Sequence, residues 1–246
     1  MGQVIAVVSG KGGTGKTTFV AGVGAALARL GFKTLCLDCD IGLRNLDLAL
    51  GLSDRTLMDF TDVITRRTTL DMAVVQHPAC PNLYLLTAPM SARGEVSDEG
   101  MRALLRDIRA SFDYCLVDAP AGLGGAFRLA TCGADRAVVL TTTDATSLRD
   151  AQCTVSALRF FPNGRLHLVV NRVRRKLLRS LHATIDDAID ESGLPLLGVI
   201  PEDEKLLLSL GRGVLPAHRG GAAEAMENIA LRLAGQRVPL MRLPRV

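Results

Sequence analysis

With 246 residues, 48% of them hydrophobic, the chain is long enough to bury one large core, and no linker, repeat or low-complexity run divides it. Its formal net charge of +4 is too mild to select a polyanionic partner, and no apolar run approaches the roughly 20 residues that span a bilayer. The first residues, Met1-Gly-Gln-Val-Ile-Ala, lack the basic region, apolar stretch and cleavage site of a secretory signal, so a cytoplasmic protein is expected.

Short apolar runs recur along the chain at 4–8, 34–37, 83–86, 114–117, 137–140, 166–170 and 196–200. They are nearly continuous in Val, Ile and Leu instead of alternating with polar residues, which is the pattern of strands buried on both faces. Between them, 17–30, 99–110, 147–160 and 177–190 carry helical spacing, and in the last of these Leu177, Leu181, Ile185 and Ile189 form one stripe. A final helix is expected over 223–233. Strands that alternate with helices predict an α/β fold: a doubly wound, mainly parallel sheet of about seven or eight strands with helices on both faces. One domain is expected over 1–235, followed by a tail over 236–246.

The most specific motif lies between the first strand and the first helix. Gly10-Lys11-Gly12-Gly13-Thr14-Gly15-Lys16-Thr17 fits G-x-x-x-x-G-K-[ST] in the context that its chemistry requires. Glycines let the backbone wrap a phosphate so that successive N–H groups and a helix start point at it. Lys16 then reaches the β and γ phosphates, and the Thr17 hydroxyl can ligate Mg²⁺. ATP and Mg²⁺ are the expected cofactors.

Two further strand ends carry acids. Residues 112–118 form an apolar strand that ends in Asp118, as expected of the carboxylate that supports Mg²⁺. A turn follows in which the Gly122 N–H could sense the γ phosphate. Asp38 and Asp40 close the second strand, and one of them could orient the attacking water. Of the six cysteines, Cys36 and Cys39 have a C-x-x-C spacing, but on a strand positions three apart face opposite sides, which argues against a metal or redox pair. Histidines 77, 167, 182 and 218 read as packing or surface residues.

Lys11-Gly-Gly-Thr-Gly-Lys16-Thr-Thr18 resembles the deviant Walker A motif of the MinD/ParA ATPases. The run from Asp38 to Asp47 looks like the first switch region of that family's MinD branch, Asp118-Ala-Pro-Ala-Gly122 is similar to its second switch, and residues 199–203 resemble its late base-binding segment. The resemblance implies that Lys11 crosses an ATP-bound homodimer to the phosphates of the other subunit, offsetting charge in phosphoryl transfer as an arginine finger does. It further implies that Lys16, Thr17 and Thr18 hold the phosphates and Mg²⁺. Asp40 would position water near the metal, Asp118 would support the metal, and Asn171 and Pro201 would sit against adenine. Asp150 becomes a candidate contact for a regulator, weighed against an ordinary acid in the first turn of a helix.

Members of the family's MinD branch regulate septum placement, bind membrane through a C-terminal amphipathic helix, recruit the inhibitor MinC and are stimulated by MinE. A MinC-like inhibitor, a MinE-like activator and peripheral contact with the cytoplasmic face of the membrane are therefore the implied partners. Pro239 and Pro244 leave room for at most about one helical turn in the tail, a departure from that pattern. A DNA-partitioning role of the ParA kind, or a flagellar-placement role, ranks second. It rests on Arg172, Arg174, Arg175, Lys176 and Arg179, and nucleic acid stands behind membrane as a partner.

Overall fold

In β1 (Gln3–Val8) every residue from Val4 onward is buried, and alternate side chains enter two different cores: Val4, Ala6 and Val8 one of them, Ile5 and Val7 the other. A strand covered on both sides has no polar face to show, which is why its sequence runs unbroken in apolar residues. The computed structural model describes residues 2–91, 96–174, 184–216 and 220–240.

The remaining strands are β2 (Thr34–Asp38), β3 (Val75–His77), β4 (Cys80–Leu86), β5 (Tyr114–Asp118), β6 (Arg136–Thr141), β7 (Leu166–Val173) and β8 (Leu196–Pro201). They form one eight-stranded sheet in the order β3-β4-β2-β5-β1-β6-β7-β8. Every pairing is parallel except β3 with β4, which is antiparallel. β3 is the strand that apolar runs did not reveal, because three edge residues, one of them exposed, bury too little to leave a hydrophobic signature.

The helices are α1 (Lys16–Arg29), α2 (Leu46–Ala49), α3 (Phe60–Ile64), α4 (Leu70–Ala73), α5 (Asp98–Ser111), α6 (Gly125–Thr131), α7 (Ala145–Ala157), α8 (Ile185–Ser192), α9 (Glu204–Gly211) and α10 (Gly221–Leu233). On one face Phe19, Val23 and Leu27 of α1 pack with Leu206 of α9 and Met226, Ile229 and Leu233 of α10. On the other, Met101, Leu105 and Ile108 of α5 pack with Phe127 of α6, Ala151 of α7 and Ala188 of α8. Cys36 belongs to the first core and Cys39 to the second, so the C-x-x-C pair is split across the sheet.

The helix expected over 177–190 is corrected in its described part. Thr184 is extended, with φ −124°, and its side chain accepts the Asp187 N–H while the Asp187 carboxylate accepts the Thr184 N–H. That reciprocal cap starts the helix at Ile185, and a helix start of this kind is worth about 1 kcal/mol over an uncapped one. Residues 177–183 of the expected stripe lie outside the described residues. The short helices α2, α3, α4 and α6 were also unforeseen, since four to seven residues are too few to show a period.

Parallel pairing puts the carboxyl ends of β1, β2 and β5 side by side. Asp38 of β2 pairs in register with Asp118 of β5, which pairs on its other side with Val7 of β1. Two strand-end acids and the loop after β1 thus meet at one edge of the sheet, where ligands of doubly wound folds bind.

Candidate nucleotide site

The loop between β1 and α1 spans Ser9 to Gly15. Gly15 sits at the start of α1 with φ 91°, a left-handed conformation that a side chain would strain. Gly10 is required for another reason: a Cβ there would lie 2.7 Å from the Asp150 carbonyl oxygen and 2.9 Å from Thr154 Oγ1, so α7 presses directly on the loop. Gly12 and Gly13 lie on its exposed rim.

Lys16 is the first residue of α1 and is only 8% exposed. Its ammonium donates to Ser9 Oγ at 3.0 Å, Thr14 Oγ1 donates to the same oxygen at 2.9 Å, and the Ser9 hydroxyl donates to the Lys11 carbonyl at 2.7 Å. Burial lowers the pKa of Lys16, and the charges of Asp118 and Asp40 oppose that shift. Ser9 is a site residue that the motif did not include. Its position directly before the first motif glycine was the available signal.

Asp118 is 2% exposed, and burial, reinforced by neighbouring Asp38, pushes its carboxyl up to about 7. The nearby Thr17 hydroxyl and the Lys16 charge act against that rise. Its Oδ1 is buried without a hydrogen-bond partner among the described residues. A buried carboxylate oxygen left unpaired beside a threonine hydroxyl and two more acids fits a hard divalent cation such as Mg²⁺.

Asp38 and Asp40 are now distinguishable. Asp38 is fully buried, and its two oxygens accept the Asp40 N–H at 2.8 Å and the Leu46 N–H at 3.2 Å, so it holds together the loop that follows β2. Asp40 is half-buried, with its carboxyl raised by partial burial and drawn back by the Lys16 charge. It is the acid of the two that remains open to a ligand. Thr18 is half-buried on α1, and Gly122, with φ 85°, lies in the turn after β5.

Lys11 points away from Lys16. Its exposed ammonium donates to Thr146 Oγ1 at 3.2 Å and stands 3.8 Å from Asp144, both at the start of α7. Asp144 caps that helix through the Ser147 N–H; partial burial works against its charge, but Thr142, Thr146 and Ser147 donate to it and hold its carboxyl well below the usual range. The capping acid of α7 is therefore Asp144, and Asp150, expected in the first turn, lies in the second. The sequence signal was Asp-Ala-Thr-Ser, separated by two residues from an apolar strand.

Asn171 is buried and donates from Nδ2 to the Thr14 carbonyl at 2.8 Å, while its Oδ1 accepts the Arg172 N–H at 2.9 Å. Pro201 is buried at the end of β8, paired with Val173 just beyond. Of the basic cluster, Arg172 and Arg174 both bind Glu202, and 175–183 lie outside the described residues. His77 accepts the Ala79 N–H and His167 lies within β7; His182 and His218 fall outside the described residues.

The model of the CobQ/CobB/MinD/ParA nucleotide binding domain matches residues 5–216, which takes in both strand-end acids, the phosphate loop and Asn171. The chain belongs to that family. Within it the likeness is to MinD proteins: the septum site-determining protein MinD of Synechocystis is 38% identical over 98% of this chain and 92% of its own length, and that of Bacillus subtilis 35% over 99% and 93%. Among solved structures, the MinC:MinD cell division protein complex of Aquifex aeolicus superposes with a TM-score of 0.90 at 35% identity over 98% of both chains. The Pyrococcus horikoshii MinD complexed with Mg-ADP follows with 0.82 at 27%, over 95% of this chain and 96% of that one. The chain is a MinD-like P-loop protein, and its fold is that of the family. Among the described residues no helix is long and apolar enough to cross a membrane.

Proposed function

We propose that the chain, through a single ATPase unit over 1–235, is an ATP-driven switch that regulates where a bacterial cell divides. One observation carries the reading: the two loop lysines are disposed oppositely, Lys16 buried against Ser9 inside the loop and Lys11 exposed at its rim. One lysine can serve the phosphates of its own subunit and the other is presented to a second copy. The septum site-determining relatives, one of them solved with Mg-ADP, support the biological setting.

In this reading Lys16, Thr17 and Thr18 bind the triphosphate and orient it, with Gly122 placed to report the γ phosphate. Thr17 and Asp118 would hold Mg²⁺, with Asp40 beside them, and the ion would supply positive charge that offsets that of the phosphates. Asp40 orients the attacking water, and Lys11 of the facing subunit stabilises charge as the bond to the γ phosphoryl breaks. Asn171 and Pro201 border the base. Hydrolysis to ADP removes the group that both lysines grip, so the homodimer separates.

A MinC-like inhibitor is the partner suggested by the Aquifex complex, and a MinE-like activator and the membrane surface are the other partners proposed. Residues 236–240 are not helical, and 241–246 lie outside the described residues; lipid contact by the tail would gain from the two copies in a dimer. The partitioning alternative rests on a basic cluster in which Arg172 and Arg174 share the single carboxylate of Glu202, so part of their charge is offset.

Phosphate release from Mg·ATP tests the enzyme reading. Slow turnover by the wild type and its loss in Lys16→Gln and Asp40→Ala are expected; equal rates in all three would contradict it. Flotation with anionic liposomes against a DNA gel shift, each with ATP, separates the division reading from the partitioning one.

A further inference from the structure

Between Val170 and Val173 the register of β7 on β8 slips. Val170 pairs with Val199 and Val173 with Pro201, so Asn171 and Arg172 together stand opposite the single residue Ile200. An unbroken strand sends successive side chains to opposite faces, whereas a bulge re-aims them. Arg172 adopts φ 55°, in the left-handed region where a long side chain is strained and where glycine is the usual occupant.

Both re-aimed side chains reach the backbone of the phosphate loop. Asn171 Nδ2 donates to the Thr14 carbonyl at 2.8 Å, and Arg172 Nη1 donates to the Gly13 carbonyl at 3.2 Å. The other arm of the guanidinium, Nη2, is held by Glu202 Oε1 at 3.2 Å, and the same carboxylate binds Arg174. Glu202 is itself tied to β7 through its N–H on the Val173 carbonyl at 3.2 Å.

A peptide unit is planar, and no cis bond occurs among the described residues, so a carbonyl drawn toward Arg172 turns the N–H of the same unit the opposite way. The units in question are 13–14 and 14–15, whose N–H groups belong to Thr14 and Gly15. These are donors that a loop of this type offers to phosphate. A cation on the carbonyl also polarises the unit and makes its N–H a stronger donor.

We propose that Arg172 is a positioning residue of the phosphate site: its guanidinium, braced by Glu202, fixes and polarises the Gly13–Thr14 peptide for the nucleotide's phosphates. The inference rests on the reading of this loop as a nucleotide site and adds a residue that the motif does not contain. It also explains why an arginine occupies a backbone conformation that favours glycine: the strain is retained because the side chain is used.

The test is titration calorimetry of Mg·ADP into wild type, Arg172→Gly and Arg172→Lys, with melting temperatures of the nucleotide-free proteins. Glycine suits φ 55°, so Arg172→Gly should melt no lower than wild type, yet bind Mg·ADP about tenfold more weakly through loss of a charged hydrogen bond. Arg172→Lys keeps a cationic donor and should recover most of that affinity. Arg172→Gly binding within twofold of wild type would overturn the proposal, as would a loss of affinity that follows a fall in melting temperature in both variants. Failure of wild type to bind Mg·ADP would instead remove the nucleotide reading itself, and the inference with it.

Discussion

Lys11 and Asp144 face each other at 3.8 Å across the rim of the phosphate loop, 48% and 49% exposed, with Thr146 taking a hydrogen bond from the same ammonium at 3.2 Å. A pair so open to solvent is worth less than about 1 kcal/mol. The lysine proposed to cross to a second subunit is thus parked lightly, at a cost that a triphosphate can exceed. Asp144→Asn keeps the cap on Ser147 while removing the charge that faces Lys11. We predict that it tightens ATP-dependent dimerisation about two- to fivefold, the equivalent of up to roughly 1 kcal/mol, as read by sedimentation equilibrium. Weaker dimerisation by Asp144→Asn would show that the contact assists the pairing instead of competing with it.

The pair of strand-end acids makes the nucleotide-free chain sensitive to pH. Burial raises Asp38 to about 6 and Asp118 to about 7, against 3.8 for either carboxyl when unfolded. A carboxyl raised by folding stabilises the folded state while protonated: the contribution is complete below 3.8 and is lost as pH rises through 6 and 7. Asp118→Asn cannot ionise and escapes its part of that loss. It should raise the melting temperature at pH 8 by roughly 2–4 °C, the shift of about 1 kcal/mol in a chain of this size, with little change at pH 4. Calorimetry at the two pH values checks this, and a lower melting temperature at pH 8 would contradict it. The same variant should lose Mg²⁺-dependent nucleotide binding.

Arg232 ties the tail to the body. Its guanidinium donates to the carbonyls of Leu197 at 2.9 Å, Val238 at 3.0 Å and Pro239 at 2.6 Å, linking α10, β8 and residues 238–239. Arg232→Ala should release these residues, with trypsin cutting after exposed Arg237 several times faster and about 1–3 kcal/mol of stability lost. An unchanged cleavage rate would show that Pro239 alone sets the path of the tail.

What could be read from the sequence was what is local. The phosphate motif is eight consecutive residues that run from the end of a strand into a helix, and Asp118 ends an apolar run, so spacing was sufficient for both. The contact of Lys11 with Thr146 joins residues 135 apart and depends on β6 lying beside β1, which no local pattern contains. The bulge at Asn171 and Arg172 left no trace either, because the residue with positive φ is an arginine, whereas glycine, asparagine or aspartate there would have advertised such a turn. The start of α8 was obscured by a four-residue apolar repeat that ran through Thr184, although Thr-x-x-Asp is itself a cap signal. Of the two acids at the end of β2 and just beyond it, only their hydrogen bonds showed that Asp38 is occupied and Asp40 open.

Everything functional in this account depends on ATP holding two copies together through Lys11. Light scattering coupled to gel filtration, on an Asp40→Ala chain that cannot turn over, measures this directly. In saturating Mg·ATP the mass should be twice the 26.2 kDa of the chain, in Mg·ADP it should be that of one chain, and adding Lys11→Ala should return the ATP form to one chain. A single-chain mass for Asp40→Ala in Mg·ATP, or a dimer that persists without Lys11, would contradict the mechanism.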